Sequence, residues 1–273
     1  PRPAGRAYVF AVGKAAVPMS EEVERLWGGD VQGMVVAPHG AEARLQSLTL
    51  QTASHPYPDA AGAVSASSLL EALSAVPKGE DVLFLLSGGA SSLLLCTATG
   101  PSPDQLRAAT KALLNGGADI HALNTVRRVL SPLLGGGVAH ACPGNVHTLA
   151  ISDVVGDDPI AIGSGPTVSN PTGTAEALAL LNRFGGADLA IVEWIERRDT
   201  IPPFESDYRI IASGPQSLKA AETALRALGH NATITADSQV GLADDNALML
   251  AERVRRRPAG RKQVWLMGGE VDV

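Results

Sequence analysis

Ser87, Gly88 and Gly89 stand directly after an apolar run, Val82 to Leu86, and just ahead of Ser91, Ser92 and a second apolar run. Glycine and serine at the end of a buried strand, where a helix begins, leave backbone N–H groups unpaired, and such groups attract phosphate or carboxylate oxygens. A lysine holds a comparable place earlier in the chain, where Gly13-Lys14-Ala15-Ala16 follows the apolar stretch ending at Val12. Later, a strand from His147 to Ile151 empties into Ser152-Asp153-Val154-Val155-Gly156-Asp157-Asp158. Carboxylates crowded at one strand end repel unless a cation offsets them, and holding Mg²⁺ beside phosphate is the commonest use of that pattern. A further glycine loop, Gly163-Ser164-Gly165-Pro166-Thr167, follows within a few residues. Each motif also has an ordinary reading, as a tight turn, a solvated lysine or a capped turn. Their repetition at successive strand ends favours an anion site.

Two further groups could take part. His55 sits in the stiff loop His55-Pro56-Tyr57-Pro58-Asp59, where each proline fixes its own φ and keeps the preceding residue extended. Asn124 and Arg127 fall on one face of a helix read over Ile120 to Leu130, and an amide beside a guanidinium can clamp a carboxylate or phosphate.

The elements needed to position these residues alternate. A strand from Arg6 to Val12 leads into a helix with Pro18 in its first turn and Glu21, Glu22 and Glu24 early, where carboxylates complement the dipole. Short strands follow at Met34 to Ala37 and Ser47 to Thr52, then a helix over Ala60 to Val76 and a central parallel strand at Val82 to Leu86. Pro101 to Leu114 is a helix stopped by Asn115-Gly116-Gly117, and Gly135-Gly136-Gly137 reads as a flexible joint. Leu189, Val192 and Ile195, three apart beside Trp194, give a helix that packs on the first domain. From Ile210 onward strands and helices alternate again through Met267, with Gly268-Gly269 as a turn and Arg253, Arg255, Arg256 and Arg257 as a solvated helix end. The expected architecture is α/β: a doubly wound, mostly parallel sheet domain over residues 1–205, followed by part of a second α/β domain over 206–273.

Composition narrows the function classes. With 45% apolar and 18% charged residues the 273-residue chain is globular, and its net charge of −6 carries no nucleic-acid footprint. No apolar run approaches a membrane span, so no membrane partner is expected. Two cysteines, Cys96 and Cys142, lack metal-ligand spacing and suit a reducing, cytoplasmic compartment.

Taken together, several motifs resemble those of the MOFRL-type glycerate 2-kinases, some of whose relatives carry a hydroxypyruvate reductase label. The resemblance rests on Gly13-Lys14-Ala15-Ala16 with Met19, His55-Pro56-Tyr57-Pro58-Asp59, Ser87-Gly88-Gly89 with Ser91, and Asn124 with Val126-Arg127. It continues through Ser131, Gly135-Gly136, Ser152-Asp153-Val154, Gly156-Asp157 and Ser164-Gly165-Pro166-Thr167, and more weakly through Tyr208 to Ser213, Gly229-His230 and Gly268-Gly269-Glu270. It implies transfer of phosphate from ATP, with Mg²⁺, to the 2-hydroxyl of D-glycerate. By the same resemblance Lys14 holds phosphate or the substrate carboxylate, and Ser87, Gly88, Gly89 and Ser91 cradle an anion. Asn124, Arg127, His55, Ser164 and Gly165 contact substrate or phosphate, and Asp153 or Asp157 binds metal or orients the hydroxyl. The implied partners are glycerate and a nucleotide, and the sequence leaves a homodimer open.

Leu134 stands where the resembled family usually has a lysine, and the family continues past Gly-Gly-Glu into a stretch with an active-site arginine, whereas this chain stops at Val273. Weak binding and slow turnover are therefore expected. A nicotinamide-dependent hydroxypyruvate reductase is the rival enzyme class, but no Gly-x-Gly-x-x-Gly follows a strand with an acidic residue about twenty positions on. A non-catalytic anion-binding homologue is the third reading.

Overall fold

The computed structural model describes residues 7–28, 30–256 and 263–271; Arg6, Arg257 and Val273 lie outside the described residues. The chain divides into two compact units, the first comprising Pro1–Ala150 with Pro159–Arg209 and the second Ile151–Asp158 with Ile210–Val273.

A six-stranded sheet is built from β1 (Ala7–Val12), β2 (Val31–Pro38), β3 (Thr49–Ala53), β4 (Asp81–Leu86), β5 (Asn145–Ile151) and β6 (Asp207–Ala212), in the order β3-β2-β1-β4-β5-β6. The pairs β1–β2, β1–β4, β2–β3 and β4–β5 are all parallel, with Phe10 opposite both Met34 and Phe84. Strand order reverses between β1 and β4, so the crevice where α/β sheets bind ligands opens between the turns that follow these two strands. The expected central strand is β4, whose Val82, Phe84, Leu85 and Leu86 are at most 1% exposed, as a strand covered on both faces requires.

Helices α1 (Ala16–Trp27), α2 (Ala60–Ser74), α3 (Ala90–Leu93), α4 (Pro103–Asn115), α5 (Ile120–Leu130), α6 (Gly137–Ala141), α7 (Thr174–Phe184) and α8 (Leu189–Glu196) complete the first unit. Several ends obey local rules: Asp59 caps α2, Ser102 and Gln105 form a capping box at α4, and Asp119 caps α5.

The expectations for α1, for the helix after β4 and for α8 change. The first turn of α1 has no acidic residue, because Ala16 starts the helix ahead of Pro18. Glu24 is instead buried and accepts the N–H groups of Gln46, Ser47 and Leu48 at 2.7–2.8 Å, which pins the approach to β3. The helix after Ser87-Gly88-Gly89 is a single turn, α3, so little macrodipole stands behind that loop. In α8 the buried pair is Ile191 and Ile195, four apart, while Leu189 is 73% exposed; Trp194 donates its indole N–H to the Leu130 carbonyl at 2.8 Å.

The second unit contains α9 (Gly214–Ala227), β7 (Asn231–Gln239), α10 (Ala243–Arg255) and β8 (Gln263–Gly269). Strands β7 and β8 pair in parallel, and Gly268 and Gly269 extend β8 instead of turning. The Arg253 guanidinium lies 5.4 Å from the Trp265 ring centre, a cation–π contact at an otherwise solvated helix end. Among the described residues no helix is long and apolar enough to cross a membrane.

Candidate functional site

At the switch point the turns after β1 and β4 are hydrogen-bonded into one piece. Ser87 N–H donates to the Val12 carbonyl (3.0 Å), Lys14 N–H to the Gly88 carbonyl (2.9 Å), and Ala15 N–H to the Ser87 side-chain oxygen (2.9 Å). Gly13 has φ +124°, and a Cβ there would stand 2.5 Å from the Ser87 carbonyl oxygen, so only glycine permits this approach. Ser87 and Gly88 are buried, while the Lys14 side chain is exposed.

The loop after β3 reaches the same place. A Cβ on Gly89, whose φ is +88°, would lie 3.0 Å from His55 Cδ2, 3.1 Å from His55 Nε2 and 3.3 Å from Lys14 Cγ. The imidazole and the lysine stem thus both border the space that a side chain at Gly89 would fill. Asp59 holds this loop: Oδ1 accepts Ser54 N–H (3.2 Å) and Gly62 N–H (2.8 Å), and Oδ2 bonds His39 Nε2 (2.8 Å), whose Nδ1 contacts Thr52 Oγ1 (3.1 Å). Burial acts to raise the Asp59 carboxyl, but His39 and the two N–H donors outweigh it and hold it below the ordinary range. The peptide between His55 and Pro56 is cis. Neither Asp59 nor His39 was assigned a positioning role from sequence. The detectable signal was an aspartate immediately before an alanine-rich helix, which marks an N-cap.

Ser91 and Ser164 hydroxyls are 2.9 Å apart. Ser164 is fully buried, and its carbonyl accepts Gly135 N–H (3.0 Å), while Gly165 accepts Gly136 N–H (2.7 Å) and Pro166 accepts Val138 N–H (2.9 Å). These bonds stitch Gly135-Gly136 to the Ser164 loop, which replaces the expected flexible joint. Leu134 is fully buried.

Asn124 and Arg127 are half-buried on α5. Arg127 Nε is buried with no hydrogen-bond partner, and burial pushes the guanidinium below its ordinary value. An orphaned buried donor is unfavourable until an acceptor reaches it, which fits an anionic ligand.

In the second unit, Ser152 N–H donates to the Ala212 carbonyl (2.9 Å) and Asp157 N–H to Val154 (3.2 Å), closing a turn in which Asp157 adopts φ +54°. Asp157 Oδ1 is buried without a partner, whereas Asp153 and Asp158 are exposed. Among the described residues no group of three or more His, Cys, Asp and Glu side chains is arranged to hold a metal. Mg²⁺ bound with substrate phosphates needs only one or two protein carboxylates, and the orphaned Asp157 oxygen fits that demand.

A parallel sheet with basic and glycine-rich turns at its switch point defines the class, and the chain belongs to the family described as "Domain of unknown function (DUF4147)", whose profile matches residues 2–196. It is 35% identical to an Agrobacterium vitis protein named as a hydroxypyruvate reductase, over 100% of this chain and 65% of that one. It is 33% identical to the glycerate 2-kinase of Pyrococcus horikoshii, over 98% of this chain and 64% of the relative. The crystal structure of glycerate kinase from Thermotoga maritima superposes with a TM-score of 0.86 at 29% identity, over 99% of this chain and 67% of that one. The chain thus spans about two thirds of the length of these relatives.

Proposed function

We propose that this chain serves ATP-dependent phosphorylation of D-glycerate at its 2-hydroxyl, giving 2-phosphoglycerate and ADP. The observation that carries the reading is that Lys14 and His55 both border the space above Gly89 at the switch point. Relatives named glycerate kinase support it.

Phosphoryl transfer asks a protein mainly to align the attacking and leaving oxygens and to neutralise charge on the moving group. Lys14 supplies positive charge to phosphate or to the substrate carboxylate. The N–H groups of Gly88 and Gly89, with the Ser91 hydroxyl and the turn shaped by Ser87, hold an anion in place. His55, Asn124 and Arg127 bind substrate oxygens, and the Ser164-Gly165 loop buttresses Ser91 from below. The 2-hydroxyl oxygen forms its bond to the γ-phosphorus as the bond to the ADP oxygen breaks, and the hydroxyl proton passes to a carboxylate, Asp153 or Asp157. The same two carboxylates are the residues that would hold Mg²⁺, which when bound neutralises the donor phosphates. Residues 1–205 act as the glycerate-kinase-like domain and 206–273 as the start of a MOFRL-type one. The buried free thiols suit work in the cytoplasm.

The reductase name on some relatives has one feature in its favour, since the strand order is also that of dinucleotide folds. The first turn speaks against it: β1 leads into Gly13-Lys14-Ala15-Ala16, not a Gly-x-Gly-x-x-Gly turn, and β2 ends on Pro38, followed by His39, instead of on a carboxylate. One experiment separates the two. ADP release is followed with ATP, Mg²⁺ and a panel of hydroxy acids, and NADH or NADPH oxidation is followed with hydroxypyruvate. Glycerate-dependent ADP release is expected; nicotinamide oxidation without it would replace the kinase reading.

A further inference from the structure

A cavity of about 230 Å³ opens in the first unit where the end of α5 meets the segments 170–174 and 198–203. None of Lys14, His55, Ser87, Gly89 and Ser91 lines it. Arg128 and Arg198 do, with Asn170 and the hydroxyl-bearing Thr172, Thr174 and Thr200; Asp199 is the one acidic residue of the lining. Arg128 is 8% exposed, and its guanidinium donates to the hydroxyls of Thr125 (2.9 Å) and Thr172 (3.4 Å), which fix it at the wall.

Arg198 carries the argument further. Its Nη1 is buried with no hydrogen-bond partner, and burial alone pushes the guanidinium below its ordinary value. A buried donor with no acceptor is unfavourable, so the Arg198 guanidinium gains by turning toward an anion that enters the cavity. A second feature points the same way. The eleven-residue helix α7 starts from Gly173 with no side-chain cap, and Gly173 and Thr174 both line the cavity, so uncapped N–H groups and the positive end of a dipole adjoin it. Against these stands only Asp199. The space is smaller than the roughly 300–1,000 Å³ usual for larger ligands, so it suits an anion of few atoms better than a whole nucleotide.

We propose that this cavity is a second anion site, separate from the Lys14 cluster, that takes a small dianion of the phosphate class, either inorganic phosphate or a short phosphate ester. The proposal does not depend on the kinase reading. Its test is calorimetric titration of inorganic phosphate, and separately of glycerol 3-phosphate, into the intact chain at constant ionic strength set by chloride. A saturable class of sites that survives Lys14→Ala is expected, and Arg198→Gln weakens that class at least tenfold. Tighter binding of glycerol 3-phosphate would identify an ester as the ligand, and tighter binding of phosphate the free ion. If a melting curve shows that Arg198→Gln does not fold, Arg198→Lys takes its place, since it keeps charge but loses the fork, and severalfold weakening is expected. The proposal is overturned by absence of saturable binding, by unchanged affinity in a folded Arg198 variant, or by loss of binding in Lys14→Ala.

Discussion

The side-chain oxygen of Ser87 accepts the backbone N–H of Ala15 at 2.9 Å, so the residue that follows β4 shapes the turn that presents Lys14. Position and charge are thereby divided between two strands: β1 brings the lysine, and β4 fixes the direction from which its turn leaves the sheet.

Lys14→Ala should lower glycerate-dependent ADP release by about a hundredfold or more, as loss of a charge aimed at the transition state does. The side chain is exposed, so the thermal midpoint should move little. Kinetics and melting on the same preparation check both halves, and unchanged turnover would return Lys14 to the role of a solvated residue.

Ser87→Ala should act on stability as well as rate. Ser87 is 2% exposed, and removing its oxygen strands the Ala15 N–H, a loss of about 1–3 kcal/mol for a buried donor without a partner. Urea unfolding measures this directly. A variant as stable as the parent would show that water replaces the hydroxyl.

Toward the amino-terminal ends of β4, β5 and β6, His147 bonds Asp207 (2.6 Å) and Asp81 (3.3 Å). The bond to Asp207 chiefly raises the imidazole above its ordinary 6.5, burial opposes this, and Asp81 adds to the rise. Its stabilising contribution is therefore full below pH 6.5 and is lost as pH rises through the raised folded value. Asp81, held low by Asn145 and then His147, contributes above its ordinary 3.8 and loses that contribution as pH falls through its folded value. All three side chains are well exposed, so the effect is small. His147→Gln should be less stable than the parent at pH 5.5 and nearly equal to it at alkaline pH. A stability gap that widens with pH would be the wrong sign.

Glu24→Gln should destabilise by about 1–3 kcal/mol, because one amide oxygen cannot serve three backbone donors held at 2.7–2.8 Å. Burial opposes ionisation of Glu24, but bonds to Leu48, Gln46 and Ser47 win and keep its carboxyl below the ordinary 4.5. Protease nicking near residues 41–48 in the variant, and not in the parent, would locate the damage.

Cys96 is 1% exposed, and burial, helped by Asp59, pushes its thiol up to about 12. Cys142 is buried and shifted the same way. Neither should react with a thiol reagent at pH 8 until denaturant is added, when both should appear. Rapid labelling of the native protein would contradict the burial.

How much could be read from the chain depended on the distance over which each cause acts. The strand Val82 to Leu86 follows from its own residues and is found in place; the caps at Asp59, Ser102 and Asp119 are as local in origin, though none of them is named as a cap from sequence. The position of Glu24 was readable, but its task was not, because the donors lie 22 to 24 residues away. Likewise His39 and Asp59, 20 residues apart, form a support for His55 that no local pattern announces. The cavity beside Arg198 draws on three separate segments and has no motif at all.

The bond between Ala15 and Ser87 spans 72 positions, and that between Ser91 and Ser164 spans 73. Contacts so distant along the chain close large loops, and they form only when the parallel strands between them are already assembled. No short fragment of the chain can therefore hold even a crude version of the anion cradle. During refolding, recovery of ligand binding should follow the slow, global phase and never precede it.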